Sequence, residues 1–306
     1  MKKFLSLVLV AMMLCTSIFA IASCGKAEAL DAAYNKYLAE CKPSADATEE
    51  LVVAISPDFA PMEFYDVAKS GNDAIVGFDV ILANYLAKEL GMKLVITPMS
   101  FDACQAAVQS GKADLGISGF SWTADRAENY EISNWYIAGE NETEQVIITT
   151  KENEGKLKTA EDFKGKKIGY QGASLQEVLV KDTFADMADV DISGVYVDLG
   201  TAVEALKSGK IDALAVAKGN GDAIMTTANG TIAPSGFEFE VDELYKNNVV
   251  LIQKGNTELL AKVNAALDKA LENDYYTGWY EACQIYSGIS TIDELGYDEN
   301  GNKIVE

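Results

Sequence analysis

Ser118-Gly119-Phe120-Ser121-Trp122-Thr123-Ala124-Asp125-Arg126 follows a short apolar run, Leu115 to Ile117, which itself follows the helix stop Ser110-Gly111. The order is therefore helix, strand, hydroxyl-rich turn, arginine. Backbone N–H groups, serine hydroxyls and one guanidinium at the carboxyl end of a strand suit capture of a carboxylate. The same residues also read as an ordinary strand end with an arginine on the surface, and the stretch alone leaves both readings open.

Upstream, helix and strand signals alternate. Leu51 to Ile55 is an apolar strand, and Ser56-Pro57-Asp58-Phe59-Ala60-Pro61 is a stiff loop presenting the Phe59 ring. Lys69-Ser70-Gly71-Asn72 marks a hairpin turn. Asp79 is placed to cap a helix with the stripe Ile81, Leu82, Tyr85, Leu86 and Leu90, stopped by Gly91. Leu94 to Thr97 is a strand, and Phe101-Asp102 opens a second helix. Before all of these, Ala27 to Glu40 carries Leu30, Tyr34, Tyr37 and Leu38 on one helical stripe, and Lys42 to Glu50 reads as linker.

Downstream, Val146 to Thr150, Lys167 to Tyr170, Val195 to Leu199, Leu214 to Ala217 and Val249 to Gln253 read as strands. Three capping patterns mark helix starts between them: Thr159 with Asp162, Ser174 with Glu177, and Thr201 with Glu204. A long final helix carries Leu259, Leu260, Val263, Leu267, Ala270 and Leu271. Such alternation predicts an α/β protein with open sheets covered by helices and ligands at the strands' carboxyl ends.

At 306 residues the chain suits two domains, and 49% hydrophobic residues describe a globular protein. A formal charge of −22 excludes phosphate-rich partners such as nucleic acid. With no histidine, His-based catalysis and His metal ligation are excluded, and no cysteine pair has metal-ligand spacing. No metal and no cofactor is expected.

Lys2-Lys3, the apolar run Phe4 to Phe19 and the small residues before Cys24 read as an export signal, too short for a membrane span. Ile21-Ala22-Ser23-Cys24 resembles the lipobox of bacterial lipoproteins. That resemblance implies cleavage before Cys24, lipidation of its sulfur and anchoring on the outer side of the cell membrane. An ordinary secretory signal is the other reading. Loss of residues 1–23 removes Lys2 and Lys3 and no acid, leaving −22 − 2 = −24. Cys41, Cys104 and Cys283 then remain, an odd number that permits at most one internal disulfide. Cys104, in an apolar helical stretch, reads as a buried thiol.

Laid in order, several segments resemble the polar amino-acid-binding proteins of ABC importers, family 3 of the extracellular solute-binding proteins. The segments are Ser56 to Phe64, Val76-Gly77-Phe78-Asp79-Val80, Phe101 to Asp114, Ser118 to Arg126, and Lys164 to Ser174. The resemblance spans roughly Leu51 to Ser287. It implies a type II periplasmic-binding-protein-like fold, two open α/β sheets joined by two hinge strands. Residues 1–23 would be the signal peptide and 24–50 the lipidated segment and linker. Lobe one would be 51–146 plus 246–290, lobe two 147–245, and 291–306 a C-terminal tail. Val146 to Thr150 and Asn248 to Gln253 would cross between the lobes.

The same resemblance implies a substrate-binding lipoprotein, a monomer and not an enzyme, that hands a small carboxylate, foremost an amino acid, to an ABC permease. Its contact with the membrane would be the lipid alone. Arg126 would clamp the carboxylate, with Ser118, Gly119, Phe120, Ser121, Tyr170, Ala173 and Ser174 around it. Phe59 and Phe101 would sandwich the ligand's side chain. Two positions depart from the family pattern. Ala217 stands where an acid usually takes the ligand's α-ammonium, and Ser56 stands where an acid sometimes holds a basic side chain. A lysine or arginine ligand is therefore not expected, and Asp58, Asp79 and Asp222 are the nearest other ammonium acceptors by sequence. Lys218 either reaches an anionic group on the ligand or, by strand alternation, points to solvent. Cys41 and Cys283, near chain ends that could meet on lobe one, are expected to pair.

Rival functions are a dehydratase-like enzyme on the same fold, a ligand-sensing ectodomain, and a structural lipoprotein. The absence of histidine and of a paired nucleophile and base weighs against the first. A chain ending at Glu306 with no transmembrane helix weighs against the second.

Overall fold

A computed structural model of the chain describes residues 31–136 and 144–304. The export signal and Cys24 lie outside the described residues, as do Ala27 to Leu30. The first sheet has the order β5-β1-β6-β13-β7. Its strands are β1 (Glu50–Ile55), β5 (Lys93–Pro98), β6 (Leu115–Gly116), β7 (Tyr130–Ile132) and β13 (Leu251–Gln253). The second has the order β10-β9-β11-β8-β12, from β8 (Gln145–Thr150), β9 (Lys167–Gln171), β10 (Asp191–Tyr196), β11 (Ala213–Ala217) and β12 (Ile232–Glu238). A small antiparallel sheet of β2 (Asp58–Phe59), β3 (Glu63–Tyr65) and β4 (Ile75–Val76) carries the Phe59 loop. The Lys69–Asn72 turn is the β3–β4 connection, closed by a 3₁₀ turn over Gly71–Ala74.

In each large sheet three neighbouring strands run parallel, β5-β1-β6 and β10-β9-β11. An antiparallel strand joins next, β13 beside β6 and β8 beside β11. The carboxyl ends of β1 and β6 in one sheet and of β9 and β11 in the other carry the loops that meet, as expected for open α/β sheets. The two strands expected to cross each sit within one sheet: β8 pairs with β11 and β12, and β13 with β6 and β7.

Nine helices are described: α1 (31–41), α2 (Phe78–Leu90), α3 (Phe101–Gln109), α4 (Ala124–Asn129), α5 (Leu175–Phe184), α6 (Leu199–Lys207), α7 (Lys218–Thr227), α8 (Thr257–Glu272) and α9 (Tyr275–Tyr286). The α2 stripe is buried as read, with Ile81, Leu82 and Leu86 fully inside. Its cap differs from expectation. Gly77 holds that place at φ 123°, because a Cβ there would lie 2.3 Å from the Met62 carbonyl oxygen. Asp79 is instead buried in the first turn. The Thr159–Asp162 box is present but starts a 3₁₀ turn, and Ser174 caps α5. The Thr201–Glu204 start is replaced. Asp198 caps α6 through the Thr201 N–H, so Val197 and Asp198 are loop and Leu199 is helix rather than strand.

Helix α9 was not read from the sequence. Its Tyr276, Trp279 and Tyr280 pack with Phe78 against α2, an aromatic face that a Leu-based stripe search passes over. Cys41 and Cys283 are free and buried, so the expected pairing is overturned: each thiol fills core volume in the first body instead. Cys104 is a fully buried thiol as read, pushed up to about 12 by burial. No helix among the described residues is long and apolar enough to cross a membrane.

Candidate functional site

The first-sheet wall of the cleft is built on the turn after β6. Thr123 caps α4 by accepting the Arg126 N–H at 3.2 Å, which aims the Arg126 side chain back over the turn. The guanidinium is 3% exposed. Its Nη1 donates to the Ser121 carbonyl at 2.6 Å, Nε to Gln105 Oε1 at 3.2 Å and Nη2 to the Ala173 carbonyl of the opposite wall at 2.8 Å. Phe101 and Phe120 flank it, with ring centroids 5.6 and 5.1 Å from Cζ. No ion pair of Arg126 falls among the described residues, and burial pulls its pKa down to about 10. A desolvated cation held by neutral acceptors and aromatic faces is a strong attractor for an anion.

Ser118 and Gly119 turn their donors inward. Ser118 Oγ donates to Glu63 Oε1 at 2.6 Å and accepts the Ser56 N–H at 3.0 Å. The Gly119 N–H goes to Asp79 Oδ2 at 2.7 Å. Gly119 has φ 56°, and a Cβ there would lie 2.7 Å from the Phe59 ring, so the glycine lets that ring lie against the turn. Phe101 lines the cleft, yet its ring packs on Phe120 at 4.7 Å and on the guanidinium, so only Phe59 remains as an apolar plate. Phe120 is core, holding Arg126 from behind.

The second-sheet wall is the β9–α5 corner. The Ser174 hydroxyl donates to the Gln171 carbonyl at 2.7 Å and accepts the Glu177 N–H at 3.2 Å, which leaves earlier N–H groups of α5 facing the cleft. Ala173 sits at φ 60°, held by its N–H on Glu177 Oε2 and by its carbonyl under Arg126. It contributes backbone only. Tyr170 does not belong to the site. It lies 2% exposed in the second core with its hydroxyl on the Ile192 carbonyl, because strand alternation sends its neighbour Gln171 to the cleft instead.

Between the walls lies a cavity of about 30 Å³, the volume one water occupies in the liquid. Phe59, Phe101, Ser118, Gly119, Ser121, Arg126, Ser174 and Ala217 line it as anticipated. Leu175, Gln145, Gln171, Gln176 and Asn248 line it as well and were missed. The amide residues carry no motif. Gln171 alone was accessible, through the alternation that buries Tyr170.

Arg126 is the sole charged side chain among the described residues on the lining. None of the anticipated ammonium acceptors joins it. Asp58 Oδ2 takes the Leu199 N–H at 2.9 Å and Gln171 Nε2 at 3.0 Å, and Oδ1 takes the Ser56 hydroxyl. Asp79 lies behind Gly119. Asp222 faces Lys218 at 3.7 Å, and Lys218 also reaches Glu144 at 3.7 Å, so its charge is directed away from the cleft. The walls are shut on each other by the Arg126, Gln105 and Asp58 bonds and by Asn220 Nδ2 on the Ala60 carbonyl at 3.2 Å. A larger groove of about 650 Å³ runs between α1 and the β4–α2–β5 face, lined by Lys42, Lys69 and Lys93, the last two paired with Asp66 and Glu50.

Two α/β bodies closing on a cleft with one buried arginine define a two-lobed solute-binding protein. The chain matches the family model for bacterial extracellular solute-binding proteins, family 3, over residues 51–282, and it belongs to that family. It is 31% identical over 220 residues to the L-cystine-binding protein TcyJ of Escherichia coli K12, covering 71% of this chain and 76% of the relative. Among solved structures it resembles AbpA of Streptococcus pneumoniae bound to L-arginine, with a TM-score of 0.69 and 31% identity over 79% of this chain and 97% of that one. An ancestral arginine-binding protein bound to glutamine gives a TM-score of 0.66 and 32% identity over 76% and 97%.

Proposed function

We propose that this protein captures a small carboxylate-bearing solute, foremost an α-amino acid with an uncharged side chain, and delivers it to an ABC permease. The observation that carries the reading is Arg126, a buried guanidinium without a carboxylate partner among the described residues, at the seam of two α/β bodies. Relatives bound to arginine or named for cystine support amino acids as the class. The lining narrows it. A cationic ligand would bring a second positive charge beside Arg126 with no acid among the described lining residues to receive it, a costly burial. An α-ammonium would be met by the amide oxygens of the Gln145, Gln171, Gln176 and Asn248 group.

In this reading residues 51–146 plus 246–290 form one lobe and 147–245 the other, the protein acts as a monomer, and lipidated Cys24 holds it outside the cell membrane. It binds without catalysing, in keeping with the solute-binding family and the binding proteins it resembles. A thermal-shift panel pairing each amino acid with its deaminated analogue tests the assignment. Stabilisation by uncharged amino acids alone is the expected result. Equal stabilisation by the deaminated acids would show a pocket that reads only carboxylate and side chain.

A further inference from the structure

Glu63 on β3 and Asp79 in the first turn of α2 are both 0% exposed, and they lie directly behind the turn that carries Ser118 and Gly119. Each spends one oxygen on that region. Glu63 Oε1 accepts the Ser118 hydroxyl, and Asp79 Oδ2 accepts the Gly119 N–H and the Tyr136 hydroxyl, the last at 3.1 Å. The remaining oxygens, Glu63 Oε2 and Asp79 Oδ1, are buried and meet no donor among the described residues, and the two carboxyls stand behind the same turn, one on Ser118 and the other on the next residue, Gly119. Two buried acceptors behind one turn can be satisfied by a single proton held between them.

We propose that Glu63 and Asp79 share one proton and act as positioning residues for the Ser118–Gly119 turn, so that losing this proton loosens the turn and weakens carboxylate binding. The binding half of this inference rests on the function proposed above; the proton and the turn do not. The surroundings favour the protonated pair. The ionisable groups facing it are Asp58 from β2, Tyr136 from the segment after β7 and Cys283 from α9; the Tyr34 phenol from α1 accepts the neighbouring Gly77 N–H. None of these is a cation. Burial, and for Glu63 the adjacent Asp79, hold both carboxyls above their ordinary range. With both ionised, two adjacent anions would repel each other and also the ligand carboxylate on the far side of the turn.

The sign of the pH effect follows. A carboxyl whose pKa is raised on folding keeps a proton that the unfolded chain has lost, so stability falls as pH rises from about 4 to the folded value. Thermal melting and the Gly119 amide resonance would be followed from about pH 5 to 9 in the wild type, Glu63→Gln and Asp79→Asn. The expected result is a wild-type melting temperature that falls with pH while the Gly119 resonance titrates in step. Either amide variant, with its own donor in place of the proton, should flatten both. The wild-type titration decides even where a variant fails to fold. A Gly119 resonance that stays constant, or a melting slope kept in both folded variants, overturns the proposal. With L-glutamine as the calorimetric probe, affinity should fall by up to tenfold per pH unit above the midpoint, the limit for one linked proton, and the fall should vanish in the variants. Binding of L-glutamine that is independent of pH overturns the link to the site. A panel in which no amino acid binds overturns the proposed function instead, and the Gly119 titration still decides the pair.

Discussion

The two walls of the cleft are built differently. The β6 wall holds the charge, the hydroxyl turn and the aromatic plate, all braced by side chains of its own body: Gln105, Phe101 and Phe120 around Arg126, and Glu63 and Asp79 behind Ser118 and Gly119. The β9–α5 wall brings the Ala173 carbonyl, a helix start and amide side chains, and none of its described lining residues is charged. In the function proposed above, one wall would bind and orient a carboxylate and the other would cover it. The contrast then places charge recognition on the first wall and shares closure between the two.

Substitutions at four positions break or sharpen that contrast. Arg126→Ala removes the charge from the binding wall, and truncating one partner of a buried charge pair costs about 2–5 kcal/mol. Calorimetry with the amino acid found by the thermal-shift panel should show a loss of roughly 30-fold to several thousand-fold, with the fold kept by circular dichroism. Unchanged affinity would remove Arg126 from the site. Ala217→Asp places an acid on the covering wall at a position that already caps α7 in an extended conformation, where Asp is a favoured residue. A new charged hydrogen bond to the α-ammonium of about 1.5–3 kcal/mol should tighten calorimetric binding of the amino acid found by the panel roughly 10- to 150-fold, with its deaminated analogue gaining nothing.

Asp58→Ala leaves the Leu199 N–H without its acceptor and Gln171 with the Val197 carbonyl alone, at about 1–3 kcal/mol. Weaker binding and a larger radius of gyration in solution scattering with ligand present are expected. An unchanged radius would mean that closure does not depend on this contact. Lys218→Ala removes the half-exposed ion pairs with Glu144 and Asp222, each worth about 0–1 kcal/mol, so affinity should not change. A marked loss would bring Lys218 into the site.

Much of the first wall was legible because its residues are consecutive: Ser118 to Arg126 is one strand end, one turn and one helix start, and local chemistry carries the meaning. The second wall was read less well because it is assembled from afar. Gln145, Gln171 and Gln176 are common surface residue types, and only the packing of β8, β9 and α5 brings them together; Asn248 arrives from the first body, bridged to Ser121 and Tyr136. Tyr170 was misplaced by a single step of strand alternation. Asp79 was read as a cap because Asp before an apolar stripe is a cap pattern, whereas the steric demand at Gly77 moved the helix start by one residue and left the acid buried. Ala217 lies at the carboxyl end of β11, buried and on the lining, a place that the strand signal Leu214 to Ala217 marks.

Both described ends of the chain belong to the same body. Tyr34 of α1 is fully buried against Tyr286, with centroids 4.6 Å apart. Gly301 lies so close to Ala33 that a Cβ would come within 2.4 Å of its backbone nitrogen, and Lys36 reaches Asn302 at 3.1 Å. Dyes placed on the two ends would thus report a fixed distance whatever the cleft does, and a surface coupled through either end would grip the half that carries Arg126. An optical readout of closure needs one label on the other half, for which the exposed Lys156 beside β8 offers a place.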